Sequence, residues 1–267
     1  MKALVKAHGA AMQHLFTPEG EARLVATLRQ RPLLAFDFDG TLAPIVARPG
    51  DARMSHGVSD RLRALSALLP VAIVTGRSVA DLRSKLDFEP MYIVGNHGAE
   101  DDAAGPASAR PAAALNPLRA ALQQRRSDLE ALGVTVEDKQ LSMALHYRLS
   151  RQRERALASI HDWLVPWAAT LHVFSGKMVV NVSPAEAPDK ADAVHALVAR
   201  CGASCALFAG DDVNDEPVFA SAPENWLTVR VGRDDPSSLA RYFLDGPSEM
   251  ALLLERVLGL LPQRQQS

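Results

Sequence analysis

Short, unbroken apolar runs recur at both ends of the chain. They cover Leu33 to Phe38, the "VAIVTGR" stretch from Val71, and "MYIVGNHGAE" from Met91, then Ala206 to Asp212 and Leu227 to Val231. Runs of this length without alternation suit strands buried on both faces. Amphipathic segments separate them, which predicts βαβ units and a parallel sheet. Helices are expected from Thr17-Pro18 to Arg31-Pro32, from Val58 to Leu69, after Ser78, and from Asp189 to Arg200 with a stop at Gly202. "EMALLLERVLGLL" closes the chain as an amphipathic packing helix.

The middle of the chain has a different texture. Asp101 to Pro117 is rich in Ala, Pro and Ser and reads as a linker. A helix (Leu115 to Leu132) then leads to strands Val134 to Asp138 and Leu141 to Arg148. A second helix (Arg151 to Trp167) leads to strands Leu171 to Phe174 and Met178 to Ser183. These strands alternate with period two, as in an antiparallel sheet with one exposed face. The expected fold class is therefore α/β: a doubly wound, mostly parallel sheet over residues 1–102 and 184–267, with a smaller αββαββ domain inserted at 103–183. No internal repeat is evident.

Composition narrows the function classes. The 267 residues are 48% hydrophobic and 22% charged, with 29 Lys plus Arg against 31 Asp plus Glu. This near-neutral balance carries no nucleic-acid or membrane-surface footprint. No stretch approaches the ~18 apolar residues of a membrane span. Lys2 and Lys6 precede no uninterrupted apolar region, because His8, Gln13 and His14 break it, so no signal peptide is expected. A cytoplasmic monomer is the expectation. Cys201 and Cys205 are too sparse for a disulfide framework or zinc site and read as small buried residues at a helix-to-strand junction.

Candidate chemistry lies at strand ends, where open parallel sheets bind ligands. Asp37 and Asp39 end the first buried strand, and two like charges one residue apart repel unless a cation offsets them. Thr75-Gly76-Arg77, Lys190, and Asp211/Asp212 with Asp215 complete the set. Each has a plain structural alternative: an Asp-Gly turn, a Thr-Gly turn, a solvated lysine at a helix start, an acidic turn with a helix cap. In sequence order they converge on phosphoryl transfer. Carboxylates suit a hard divalent cation such as Mg²⁺, which takes one or two of them together with substrate phosphate. Asp37 can act as nucleophile. Asp39 returns to the same face of an extended chain and can serve as acid and base. Thr75 and Gly76 can hold phosphoryl oxygens, and Lys190 supplies fixed positive charge.

This ordered set resembles the haloacid-dehalogenase-like phosphohydrolase superfamily. The resemblance implies nucleophile Asp37, acid/base Asp39, Thr75 and Lys190 on the phosphate, and Asp211 on Mg²⁺. It also implies metal contact by the Asp39 backbone carbonyl and an outer carboxylate at Asp215. "GNHGAE" (Gly95 to Glu100), "LSMALHYR" (Leu141 to Arg148) and the stretch from Gly176-Lys177 to Pro184 resemble trehalose-6-phosphate phosphatases. That likeness implies a sugar-phosphate substrate, with Arg77, His97, Lys139, His146, Arg148, Lys177 and Asn181 among its contacts. Alternation places Leu141, Met143, Leu145 and Tyr147 on a core face and Ser142, Ala144, His146 and Arg148 on a polar one. A structural histidine at 146 and a solvated hairpin lysine at 139 are the alternatives there. One departure stands out: the family's Glu-x-(Arg or Lys)-Pro is here Asn181-Val182-Ser183-Pro184. Ala191 also follows Lys190 where the family favours Gly. Other sugar phosphates, such as sucrose phosphate or a glycosyl-phosphoglycerate, are alternative substrates, and a non-catalytic phosphate acceptor or sensor is an alternative class.

Overall fold

The computed structural model describes residues 12–46, 48–104, 112–233 and 235–262. The sequence stretch before Met12 and the centre of the expected linker, 105–111, lie outside the described residues. Twelve strands are present among them: β1 (Gln13–His14), β2 (Leu33–Phe36), β3 (Val71–Val74), β4 (Tyr92–Gly95), β5 (Glu100–Asp101), β6 (Thr135–Asp138), β7 (Met143–His146), β8 (Leu171–Gly176), β9 (Val179–Pro184), β10 (Ala206–Gly210), β11 (Leu227–Val231) and β12 (Tyr242–Leu244). The helices are α1 (Pro18–Arg29), α2 (His56–Ser66), α3 (Val79–Arg83), α4 (Asn116–Gln124), α5 (Arg126–Leu132), α6 (Arg153–Leu164), α7 (Lys190–Cys201), α8 (Glu216–Ser221) and α9 (Met250–Leu260).

Local chemistry sets the helix starts. Thr17, Ser55 and Ser78 cap α1, α2 and α3 through their hydroxyls, and Asp189 and Asp192 form a reciprocal capping box on α7. Gly202 ends α7 in the left-handed conformation. The single helix expected over Leu115–Leu132 is instead two, because the chain leaves helical geometry at Arg125. The linker expectation also needs correction at its ends: Glu100–Asp101 joins the sheet, and Leu115 is fully buried in the core of the smaller layer.

The larger sheet runs β1-β12-β11-β10-β2-β3-β4-β5, parallel at every pairing except β4–β5. Its strands send alternate residues to two cores. Leu34, Phe36, Val71, Ile73, Leu207 and Ala209 meet α1, α2 and α9 on one face. Leu33, Ala35, Ala72, Val74, Ala206 and Phe208 meet α7 and α8 on the other. That is the doubly wound arrangement the unbroken apolar runs predicted.

Strand order reverses at β2. The chain leaves β2 toward β3 and β4, and returns to place β10 on its opposite side. Such a switch opens a crevice at the carboxyl ends of the two strands. The smaller sheet, β6-β7-β9-β8, is wholly antiparallel and has its own core, built from Met143, Leu145, Ile160, Leu164, Val180 and Val182. Met143, Leu145 and Tyr147 pack on that core as alternation predicts, whereas Leu141, which precedes β7 and is half-buried, is not part of it. No helix among the described residues is long and apolar enough to cross a membrane.

Candidate active site

The residues following β2 turn sharply. The Phe38 carbonyl accepts from the N–H groups of Leu42 (3.0 Å) and Ala43 (2.9 Å), and Gly40 takes φ +86°. The strand therefore ends at Phe36, two residues short of its apolar run, and Phe38 stays buried inside the turn. Asp37 remains tied to the sheet by its N–H to the Ala209 carbonyl at 2.9 Å. Its carboxylate lies in the crevice between β2 and β10.

Lys190, the first residue of α7, is only 2% exposed. Its ammonium donates to Asp37 Oδ1 at 2.8 Å and Asp215 Oδ1 at 2.7 Å. The solvated-lysine alternative is thereby overturned. Burial alone would lower the Lys190 pKa, but the Asp215 and Asp37 carboxylates outweigh it and hold the value above the ordinary lysine range. Asp37 is pushed well up by burial and by the Asp215 and Asp211 charges, with Lys190 opposing. Burial, with Asp215, likewise pushes Asp211 up to about 6 despite Lys177. The carboxylates outnumber the cations among them, and a bound cation would relieve the imbalance.

Asp37, Asp211 and Asp215 bring one carboxylate oxygen each to within 4.8 Å of one another, so the cluster could hold a metal ion. All the donors are hard oxygens, which suits Mg²⁺. Asp215 is also the anchor of its own loop. Its second oxygen accepts from the N–H groups of Asp211 (2.9 Å) and Asp212 (3.0 Å). Asp212 caps the following turn by accepting from Val213 N–H, while burial raises its pKa. Thr41 donates to Asp211 Oδ1 at 3.3 Å.

Asp39 has a different environment. Arg77 grips both of its oxygens through Nε and Nη2, each at 2.6 Å. Thr75 is buried at the end of β3, and its hydroxyl accepts from Arg77 N–H at 3.2 Å. Beside it the chain at Asn96 and His97 enters the left-handed region, φ +49° and +59°. This turn seats the His97 ring against Gly76, where any Cβ would collide with it. Burial, with Lys139 and Lys190, holds the imidazole well below its ordinary pKa, and the nearby Asn181 opposes only in part. Neither ring nitrogen makes a hydrogen bond of normal geometry.

Polar contacts among the described residues hold the smaller layer over this crevice. Lys139 Nζ donates to the Gly76 carbonyl (2.8 Å) and Ser142 Oγ to Asn96 Oδ1 (2.5 Å). Arg148 Nη1 donates to the Val46 carbonyl (2.5 Å), and Lys177 Nζ to Asp211 Oδ2 (2.6 Å). Of the residues the sequence nominated, Asp37, Asp39, Thr75, Gly76, Arg77, His97, Lys139, His146, Arg148, Lys177, Asn181, Lys190, Asp211 and Asp212 line one pocket; Asp215 stands behind it.

Sequence reasoning missed Glu137, Asp81, Ile45, Val46, Val179 and Asn214, which line the same pocket. Glu137 accepts from His146 Nε2 at 2.9 Å; this bond, outweighing burial, holds its carboxyl below the usual range. Its signal was present, because Glu137 shares a strand face with Lys139. Asp81 had one too, four residues after Arg77 at a helix start.

Comparison with known proteins places the chain in a family. The family model described as "Trehalose-phosphatase" matches residues 35–248. A trehalose-phosphate phosphatase of Mycolicibacterium paratuberculosis is 31% identical over 254 residues, 87% of this chain and 63% of that protein. An uncharacterized glycosyl hydrolase of Mycobacterium tuberculosis is 31% identical over 244 residues, 85% of this chain and 18% of its own length. The chain thus spans only part of these relatives. Among solved structures, the C-terminal domain of Candida albicans trehalose-6-phosphate phosphatase superposes with TM-score 0.77 at 22% identity, covering 96% of this chain and all of that one. The fold is therefore shared with that domain, and the chain belongs to the trehalose-phosphatase family.

Proposed function

We propose that the chain is a magnesium-dependent phosphatase converting trehalose 6-phosphate to trehalose and phosphate, with its core at 1–102 and 184–267 and a specificity cap at 103–183. One observation carries the chemistry: two carboxylates two residues apart reach one pocket in opposite environments. Asp37 is buried against a lysine, suited to in-line attack. Asp39 sits half-exposed in an arginine fork, suited to proton transfer. The family and its trehalose-phosphate phosphatase members support the substrate.

In the first step an Asp37 oxygen bonds to phosphorus as the sugar oxygen departs, taking a proton from Asp39. In the second, Asp39 removes a proton from water, whose oxygen attacks phosphorus and frees phosphate from Asp37. Thr75 and Gly76 hold phosphoryl oxygens, and Lys190 keeps positive charge at the attacking carboxylate. Magnesium, held by Asp37, Asp211 and the Asp39 backbone carbonyl, would neutralise charge on the phosphoryl oxygens. In the cap, Glu137, Lys139, His146, Arg148, Lys177 and Asn181 offer donors and acceptors for sugar hydroxyls.

A substrate panel tests this. Trehalose 6-phosphate is expected to exceed glucose 6-phosphate and sucrose 6-phosphate in kcat/KM by at least ~100-fold, a discrimination that site-specific hydrogen bonds can supply. Asp37→Asn is expected to release no phosphate from any of them. A flat profile would overturn the substrate assignment, and phosphate release by Asp37→Asn would overturn the nucleophile.

A further inference from the structure

Asp81 lies in the first turn of α3 and belongs to none of the strand-end motifs. Its carboxylate accepts from Arg77 Nη1 at 2.6 Å, while Nε and Nη2 of the same guanidinium hold the two oxygens of Asp39. Arg77 is 8% exposed, and its guanidinium carbon lies 5.5 Å from the centre of the Phe38 ring. From the far side, buried Lys85 reaches Asp81 at 3.6 Å and is itself tied to the Gly50 carbonyl at 3.0 Å. A line of alternating charge, Lys85–Asp81–Arg77–Asp39, thus runs from α3 to the end of β2.

A guanidinium is planar, and a two-bond fork fixes both the position and the plane of the carboxylate it holds. An arginine carries four rotatable side-chain bonds, so a fork aims its target only if the arginine is itself held. Asp81 supplies that second hold. Each oxygen of Asp39 keeps a further lone pair, so the fork orients the carboxylate without using up its capacity to carry a proton.

We propose that Asp81 is a positioning residue for the phosphatase reaction, fixing Arg77 so that its fork aims Asp39 at the leaving oxygen. This rests on the reading of Asp39 as acid and base. In the first step the alignment matters only where the leaving group needs a proton. A sugar alkoxide does, whereas p-nitrophenolate departs without one. A loose anchor misplaces the acid and slows departure of the sugar but not of p-nitrophenolate; the second step, in which Asp39 is the base, is common to both substrates, so the difference is read in the first turnover.

The experiment compares first-turnover release of the leaving group from the best sugar phosphate of the panel and from p-nitrophenyl phosphate in wild type, Asp81→Asn, Arg77→Lys and Asp39→Asn. Asp81→Asn is expected to slow first-turnover release of the sugar about 10-fold with KM within about 2-fold. Its first-turnover release of p-nitrophenolate, which also reports a folded site, should stay within about 2-fold of wild type. Arg77→Lys, which cannot form a fork, should lose more on the sugar phosphate than on p-nitrophenyl phosphate. Equal losses on both substrates, or no loss on either, would overturn the proposal; should Asp81→Asn not fold, Arg77→Lys decides by the same criterion. Asp39→Asn separates the two layers. If it shows no leaving-group selectivity, the acid assignment fails and the proposal with it. If it does show selectivity while Asp81→Asn does not, only the positioning role falls.

Discussion

Lys190 governs the charge balance of the crevice. It is the first residue of α7, it is buried, and it bonds two carboxylates that are themselves 5% and 0% exposed. A buried ion triad gains little over apolar packing, but removing one partner leaves the others uncompensated. Lys190→Met is therefore expected to lower stability by about 3–5 kcal/mol, read from urea unfolding without added metal. A change under about 1 kcal/mol would mean that water or another cation already serves Asp37 and Asp215. Sequence alone could not settle this residue, because a lysine at a helix start is ordinarily solvated. What buries it is the approach of β2 and the acidic loop from distant parts of the chain.

At the scale of elements, the site depends on a turn more than on a strand. The turn after β2 folds the chain back over the Phe38 carbonyl and passes Gly40 against the Asp211 carboxylate, leaving no room for a Cβ. Gly40→Ala is expected to cost about 1–3 kcal/mol in stability, from the positive φ together with the collision. Phosphatase turnover should fall as Asp211 is displaced; an unchanged melting curve and rate would contradict this account. The strands around the crevice were legible because burial on both faces leaves unbroken apolar runs. β1, β5 and β12 were not, since two or three residues carry no period and exist only by pairing with neighbours. The break at Arg125 left no Gly or Pro as a marker. Within the pocket, the catalytic carboxylates announced themselves by spacing. Glu137 and Asp81 carried only a local spacing, two residues before Lys139 and four after Arg77, and their roles show only in the bonds they make to His146 and Arg77.

For the whole molecule, the crowded carboxylates give a direct readout of metal. With Asp37, Asp211 and Asp215 already drawn together, a divalent cation should favour the folded chain through mass action. Magnesium at about 100 times its Kd is expected to add about 2.7 kcal/mol, seen as a rise in Tm that EDTA reverses and Asp211→Asn removes. Phosphatase activity should follow the same addition and chelation. A Tm indifferent to both would oppose a metal at this cluster.

The contacts that hold the smaller layer over the crevice have a consequence for how such an enzyme can change. Lys139, Arg148 and Lys177 each fasten that layer to the larger one, and each also lines the space a sugar would fill. If the chain acts as proposed, recognition of the sugar and attachment of the cap therefore fall to the same side chains. A substitution that retunes preference for one sugar also resets how fast the door swings, so selectivity and tempo are inherited together. A lineage exploring new substrates through these positions would move along that joint axis, and could separate the two more readily through residues such as His146, which faces the cavity and bonds within its own layer.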